Sequence, residues 1–292
     1  MSLSNFKADI RARFEKLEDI PILPETARRI LELRAKDEPD IPALAKLIEH
    51  DPSLSAQVIR YARSSLFGYR GKIDSVEAAI SRVLGYDVVL NLALGLATSK
   101  PFKMPRNGLL GADTYWMRSV RTAILTQALC HALPSHFHTS ASFAYLSGLL
   151  HQFGLLVLAH MYPKEYGKLN TLITRQADID LIQLERDAFG ITHLEAGARI
   201  LRHWELPSEI IVPALKHNDV EFKGIHQDYV YLIQLAEQLL NFDEEDPSPV
   251  MERISPELMT KLELDTPSIV KIAEQIIPSF VDMNSMIRKL AA

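Results

Sequence analysis

Four residues in the first quarter of the chain have side chains suited to binding a phosphate or a planar ring. They are Arg60, Tyr61, Arg63 and Arg70, interleaved with Phe67 and Tyr69. A guanidinium can pair with a phosphate and an aromatic ring can stack on a base, so the pattern is compatible with a site for a nucleotide or another small ligand. The same residue types also occur where two parts of a fold meet, and the sequence leaves both interpretations open.

Two further groups of polar residues fit metal chemistry less well. His131, His136 and His138 are loosely spaced around a proline, which predicts exposed polar side chains and not a zinc site. The acidic run at residues 243–246 lacks the spacing of a calcium-binding loop. It predicts a solvated loop.

Three other residues have side chains that could take part in a reaction, but each is expected to have an ordinary structural role. Glu185 and Asp187 are two residues apart on one predicted helix, so they point in different directions and are expected to be surface charges. The single cysteine, Cys130, lies in an apolar run and is expected to be a small buried thiol.

The composition is that of an ordinary globular protein. The 292 residues are 47% hydrophobic and 24% charged, with a net charge of −5. This balance makes nucleic acid an unexpected partner and gives no basic surface for an anionic membrane. The first residues show no basic patch followed by an apolar core, and the apolar stretch at residues 88–97 is too short to span a bilayer. We therefore expect a soluble cytoplasmic protein without a membrane segment.

Helix signals recur along the chain, whereas strand signals are nearly absent. Asp51 precedes a proline and is expected to cap a helix. Residues 74–77 and 192–195 each fit a capping box, with Asp74 and Thr192 as the predicted caps. Residues 140–160 predict one long apolar helix. The sequence thus predicts an all-α protein, and it contains no phosphate-binding glycine loop, nucleophile elbow or dinucleotide fingerprint.

A series of short motifs occurs in a fixed order through the first 220 residues. The motifs are residues 20–25, 44–54, 75–80, 84–85, 91–94, 116–119 and 146–151. Their shared order resembles the HDOD (HD-related output domain) family over about residues 15–220. The resemblance implies an HD-like helical bundle preceded by an N-terminal helical lobe. It also implies a non-catalytic output or scaffold role in bacterial signalling.

The domain organisation follows from this resemblance and from two polar linkers at residues 100–111 and 241–249. Residues 1–105 are expected to form the N-terminal lobe and residues 106–240 a degenerate HD-like lobe. Residues 241–292 are expected to form a helical C-terminal extension of unassigned role.

The resemblance also places a site. HD hydrolases hold one or two divalent metals with a histidine, a later His-Asp pair and a distant aspartate. Here the first position falls on Arg118, the pair reads His151-Gln152, and the distant position falls on Glu237. Arginine has no lone pair to donate and glutamine carries no charge, so we expect a vestigial site with no metal, no cofactor and no catalytic residue. The guanidinium of Arg118 is expected to replace the missing cation and to pair with Glu237.

An alternative uses the remaining histidines. His193 and His217 lie where related HD proteins often carry histidines, and with His151 and Glu237 they could hold a divalent or transition metal. That arrangement would make the chain a phosphohydrolase acting on nucleotides or phosphodiesters. The simpler interpretation is that both histidines are structural, with His193 at a helix N-terminus and His217 packed near a helix end.

The expected function is therefore a non-catalytic binding module. Its partner would be a signalling protein or a small molecule that binds in the groove between the two lobes. The sequence leaves the identity of the partner and the oligomeric state open.

Overall fold

All regular secondary structure in the described residues is helical, as the sequence predicts. The computed structural model describes residues 10, 12, 14, 20–176, 180–240 and 254–288, with the side chains of residues 285 and 286 excepted. The helices are α1 (Glu25–Arg34), α2 (Ile41–Glu49), α3 (Pro52–Ala62), α4 (Val76–Ala79), α5 (Tyr86–Ser99), α6 (Ala112–Ala132), α7 (Ala141–Leu150), α8 (Phe153–Met161), α9 (Pro163–Arg175), α10 (Leu181–Phe189), α11 (His193–His203), α12 (Ser208–Lys216), α13 (Gln227–Leu240), α14 (Pro256–Leu262), α15 (Thr266–Ile276) and α16 (Ser279–Ile287). Single turns of 3₁₀ helix lie at Ser65–Phe67 and Ser135–Phe137, and a π turn at Ile80–Leu84 continues α4.

Two of the three predicted helix caps are confirmed. Asp51 accepts hydrogen bonds from the backbone N–H groups of Ser53 and Leu54 at the start of α3. Thr192 and Glu195 form the reciprocal capping box that begins α11. Both caps satisfy backbone donors that have no partner inside the helix.

The predicted cap of α4 is wrong by one residue. Ser75, not Asp74, accepts the hydrogen bond from the backbone N–H of Ala78, at 3.1 Å. Asp74 lies one residue outside the helix and pairs with Lys72 at 3.1 Å. A short serine side chain three residues before the donor has the reach that the cap requires.

The long apolar helix predicted at residues 140–160 is interrupted. A turn at His151 and Gln152 separates α7 from α8. By length and composition the stretch Ala141–Met161 could cross a membrane, but 78% of its apolar window is buried within the protein. Such burial is typical of a core helix.

Helix α6 forms the centre of the fold and supports the site from one side. It packs against α7 and α13, while α12 packs against α7 and against α11. Helices α8 and α11 approach closely at Gly154 and Gly197, since a methyl group built on Gly154 would lie 1.8 Å from the carbonyl oxygen of His193. This approach positions the start of α11 beside the turn that carries His151.

The hydrophobic core continues across both predicted linkers. Helix α5, from the first 105 residues, packs against α7, and α14 packs against α13. Helices α15 and α16 pack against α6, where Ile269 and Phe280 are buried. The described part of the chain therefore shares one apolar interior, and the predicted domain boundaries stay a prediction.

Candidate functional site

The carboxylate of Glu237 is the point where three elements meet. The guanidinium of Arg118, on α6, donates from Nε and Nη2 to Oε2 of this carboxylate. Thr122, one helical turn later, donates its hydroxyl to Oε1 at 2.6 Å. Nε2 of His151 lies 3.3 Å from the same oxygen. One carboxylate on α13 thus contacts a guanidinium, a hydroxyl and an imidazole.

The charge of Glu237 is stabilised by its neighbours. Burial by itself would raise the pKa of this carboxyl, but the Arg118 guanidinium and the His151 ring together hold the pKa well below its ordinary value. The Glu237 side chain is 14% exposed and the Arg118 side chain 44% exposed. The pair therefore lies at the edge of the interior, with the carboxylate inside and part of the guanidinium in water.

Three buried histidines adjoin this pair. The ring centroids of His151 and His217 are 4.8 Å apart, and those of His193 and His217 are 5.9 Å apart. Burial, followed by the neighbouring rings of His151 and His193, holds the pKa of His217 well below its ordinary value. The three rings come from the α7–α8 turn, the start of α11 and the end of α12, so the fold brings together histidines that are distant in sequence.

Each of the three rings is held through its Nδ1 atom. The acceptors are the carbonyl oxygen of Gly148 for His151 at 2.7 Å, the carbonyl oxygen of Pro213 for His217 at 3.0 Å, and the carboxylate of Glu185 for His193 at 2.8 and 2.9 Å. Nε2 of His193 is buried and makes no hydrogen bond, whereas Nε2 of His151 faces the Glu237 carboxylate. A ring fixed in this way has a defined orientation and leaves its second nitrogen available.

Glu185 is a buried residue beside the site, and the sequence interpretation missed it. It was expected at the surface, but its side chain is fully buried and also accepts a hydrogen bond from the backbone N–H of His193 at 2.9 Å. Asp187 is exposed, so the two acids do point in different directions, as predicted. The available signal was the position of Glu185 four residues before the buried Phe189, on the apolar face of α10.

The HD fold raises the question of a divalent metal, and the residues present do not fit one. The Arg118 guanidinium is hydrogen-bonded to the carboxylate that faces His151, and a fixed cation there opposes a second cation. Gln152 lies in the turn next to His151 and offers a neutral amide. Within residues 20–176, 180–240 and 254–288, no group of three or more His, Cys, Asp or Glu side chains is placed to hold a metal. We therefore derive no chemistry through a metal.

The basic and aromatic residues of the first quarter occupy different environments in the structure. Tyr61 is fully buried, and its hydroxyl accepts a hydrogen bond from that of Tyr145 on α7 at 3.2 Å. Nε of Arg63 donates to the carbonyl oxygen of Ile73 at 2.9 Å, and Arg70 is exposed. The Tyr61–Tyr145 contact joins the N-terminal part to α7, and Nε of Arg60, on the same helix as Tyr61, is buried without a hydrogen-bond partner in the described residues.

The remaining groups behave mostly as predicted. His131, His136 and His138 are exposed, and Cys130 is buried. The acidic run at residues 243–246 lies outside the described residues.

Comparison with known proteins identifies the fold. Residues 20–220 match the HDOD domain family. The structure is similar to a candidate signal transduction protein from Marinobacter aquaeolei VT8, with 29% sequence identity and a TM-score of 0.80 over 98% of this chain and 69% of that one. It is also similar to an HDOD domain protein of unknown function from Geobacter sulfurreducens, with 22% identity and a TM-score of 0.67 over 95% of this chain and 99% of that one.

Two further proteins are similar to this chain, but their similarity shows little about its function. A candidate phosphohydrolase from Shewanella amazonensis SB2B has 18% identity and a TM-score of 0.69 over 97% of each chain, which shows a shared HD-like fold and no more. An uncharacterised protein of Treponema pallidum (strain Nichols) is 26% identical over 209 residues, or 70% of this chain. The chain spans 39% of the length of that relative.

Proposed function

The chain belongs to the HDOD domain family, and on that premise we propose that it is a non-catalytic binding module that recognises a signalling protein or a small molecule in the cytoplasm. The family match and the signal transduction neighbour make it a signalling-related HDOD domain. The absence of catalysis, the binding role and the compartment are the proposal.

One observation carries this proposal: the ion pair between Arg118 and Glu237. In the HD arrangement a metal would lie among these side chains and His151. Here a covalently attached cation already neutralises the carboxylate. The pair therefore supplies the charge balance of the lost metal and holds α6 against α13.

Hydrolysis of a phosphate ester by this scaffold requires a bound metal ion, and the Arg118–Glu237 ion pair opposes its binding. A metal lowers the pKa of a bound water and offsets the charge of the phosphate. The Arg118 guanidinium generates no hydroxide and is occupied by Glu237. The expected chemistry is therefore binding alone.

Metal analysis combined with an activity assay tests the proposal. We expect the purified chain to hold no stoichiometric manganese, magnesium, zinc or iron by mass spectrometry. We also expect no turnover of bis(p-nitrophenyl) phosphate or p-nitrophenyl phosphate when each metal is added. Stoichiometric metal together with turnover that His151→Ala abolishes would contradict it.

A variant that restores the HD ligand types gives a positive control. Arg118→His with Gln152→Asp removes the fixed cation and adds a carboxylate, so the double variant is expected to bind manganese or iron more tightly than the parent chain. The matched control is Arg118→Gln with Gln152→Asn, which removes the cation without adding a ligand. If both double variants bind metal equally, Arg118 alone was the obstacle and the account of Gln152 fails.

A second candidate function has one observation in its favour. The three buried histidines are each fixed through Nδ1, and metal-binding histidines are commonly fixed in this way. A transition metal there would support the phosphohydrolase alternative. Zinc and iron are therefore included in the metal analysis, and tight binding of either that His193→Ala and His217→Ala each remove would favour this alternative.

A further inference from the structure

A cavity of about 420 Å³ lies between α3, α5, α6 and α8. It is lined on one side by Trp116, which precedes Arg118 by two residues on α6. Two residues correspond to a rotation of about 200° around a helix, so the cavity and the Arg118–Glu237 pair lie on opposite faces of α6. The volume is within the range of pockets that hold small molecules.

The floor of the cavity is apolar and aromatic. Trp116 and Phe102 line it together with Leu54, Leu96 and Leu156. Phe102 is held in place by edge contact with the ring of Phe153. Rigid rings and leucines of this kind favour a planar apolar body over a flexible or highly polar one.

The rim of the cavity carries an unbalanced positive charge. Nζ of Lys100 lies 2.6 Å from Oδ2 of Asp51, whose Oδ1 also caps α3, so this lysine and this acid neutralise each other. Lys103 also lines the rim, is exposed, and has no ion pair with any residue in the described part of the chain. Its backbone N–H donates to Nδ1 of His160 at 3.3 Å, which fixes the start of the side chain. The Lys103 ammonium therefore borders an aromatic floor.

We propose that this cavity binds a small aromatic monoanion, a planar bicyclic body with one carboxylate or sulfonate group directed at Lys103. The inference rests on the proposed binding function and gives it a ligand class. Helices α3 and α5 precede the linker at residues 100–111, whereas α6 and α8 follow it. A bound ligand therefore contacts both parts of the chain and stabilises their junction.

Two dyes with the same ring system test separately whether the cavity binds an aromatic body and whether Lys103 recognises its anionic group. 8-Anilinonaphthalene-1-sulfonate carries one anionic group, and N-phenyl-1-naphthylamine is its neutral counterpart. Fluorescence titration of the full chain is expected to give one saturable site for the sulfonate dye. Lys103→Glu should weaken that dye about tenfold, because a like charge replaces an opposite one, and should leave the neutral dye nearly unchanged.

Matched variants show whether the dyes occupy this cavity. Lys164→Glu makes the same charge change on the exposed face of α9 and should leave both affinities unchanged. Ser53→Trp fills the mouth from an exposed position and should weaken both dyes, while Lys103→Met should weaken only the sulfonate dye. Unfolding curves check that each variant is folded.

The outcomes separate this inference from the proposed function. Equal effects of Lys103→Glu and Lys164→Glu, or undiminished binding by folded Ser53→Trp, would overturn the ligand class and its location while the non-catalytic role stands. Metal-dependent turnover would overturn the non-catalytic role while saturable dye binding at Lys103 stands.

Discussion

At the scale of single residues, the most informative substitution is arginine at position 118. Its guanidinium is charged at every accessible pH and matches a carboxylate geometrically, so it fixes Glu237 without an exchangeable ion. Lysine would give a point charge in the same place without the rigid, planar pair of donors. The identity of the cation therefore bears on the geometry of the site as well as on its charge.

Removal of this cation should destabilise the fold. Arg118→Met leaves a mostly buried carboxylate without its main partner, and we expect the free energy of unfolding to fall by about 1–2 kcal/mol, a value reduced because the guanidinium is partly in water. Urea denaturation measures it. Arg118→Met combined with Glu237→Gln should cost less than the sum of the single changes. Strict additivity would contradict an energetic coupling between the two side chains.

The buried ring of His217 should make stability depend on pH. Its folded pKa is below the ordinary value because of burial, with further lowering by His151 and His193; Glu237 and the Pro213 carbonyl act in the opposite direction. The unfolded chain therefore binds a proton near pH 6.5 that the folded chain does not. Stability is thus retained above pH 6.5 and lost as the pH falls below it, by at most about 1.4 kcal/mol per pH unit for one proton.

His217→Gln should reduce this dependence. Between pH 7.5 and 5.5 the free energy of unfolding of the variant, from urea denaturation, is expected to fall less steeply than that of the parent chain. His131→Gln, at an exposed histidine, is the control and should leave the slope unchanged. If the parent and His217→Gln lose stability in parallel, another group is responsible.

At the scale of elements, the contact between α8 and α11 sets the positions of two histidines. Gly154 and Gly197 allow the helix backbones to touch, with no room for a methyl group between them. Gly154→Ala should therefore destabilise the fold by about 1–3 kcal/mol, because the helices must separate. Gly167→Ala, in α9, meets nothing within 4 Å and should be neutral or stabilising by about 0.5–1 kcal/mol. Thermal unfolding of the two variants measures the contrast, and similar shifts in Tm would contradict the close approach.

Helix boundaries were predictable where a local signal sets them. Asp51 and Thr192 act on their own helices through backbone donors a few residues away, so sequence alone identified them. The turn at His151 and Gln152 carries no proline or glycine, and its apolar flanks predict one continuous helix. It lies where α8 meets α11, a contact between residues about 40 positions apart. No window of local sequence contains that information.

Some contacts of the site were also predictable from sequence, whereas others were not. The pairing of Arg118 with Glu237 followed from a family resemblance that places both residues, and the structure has them in contact. The link from Glu185 to His193 depends on which face of α10 is buried, and the charge of a glutamate suggests the opposite face. Spacing along a helix indicates which residues share a face but leaves open which face is buried.

At the scale of the whole molecule, the segment after residue 254 lies beyond the family match at residues 20–220 and still belongs to the core. The guanidinium of Arg121, on α6, donates to Oδ1 of Asn284 at 2.7 Å and lies 5.2 Å from the ring centroid of Phe280. Helix α16 also packs against the 3₁₀ turn at Ser65–Phe67, so this segment bridges α6 and the N-terminal part.

If the segment is part of the cooperative fold, truncation of a buried side chain within it should destabilise the whole molecule. Phe280→Ala removes a ring buried against α6, and we expect the free energy of unfolding to fall by about 3–5 kcal/mol in one transition. Val281→Ala, the exposed neighbour on the same helix, should change it by less than about 0.5 kcal/mol. Urea denaturation followed by both circular dichroism and the fluorescence of Trp116 and Trp204 distinguishes the cases. Loss of α16 in a separate early transition, with the tryptophan signal unchanged, would show an appended segment, because a cooperative core transmits the loss of one ring to every helix that shares it.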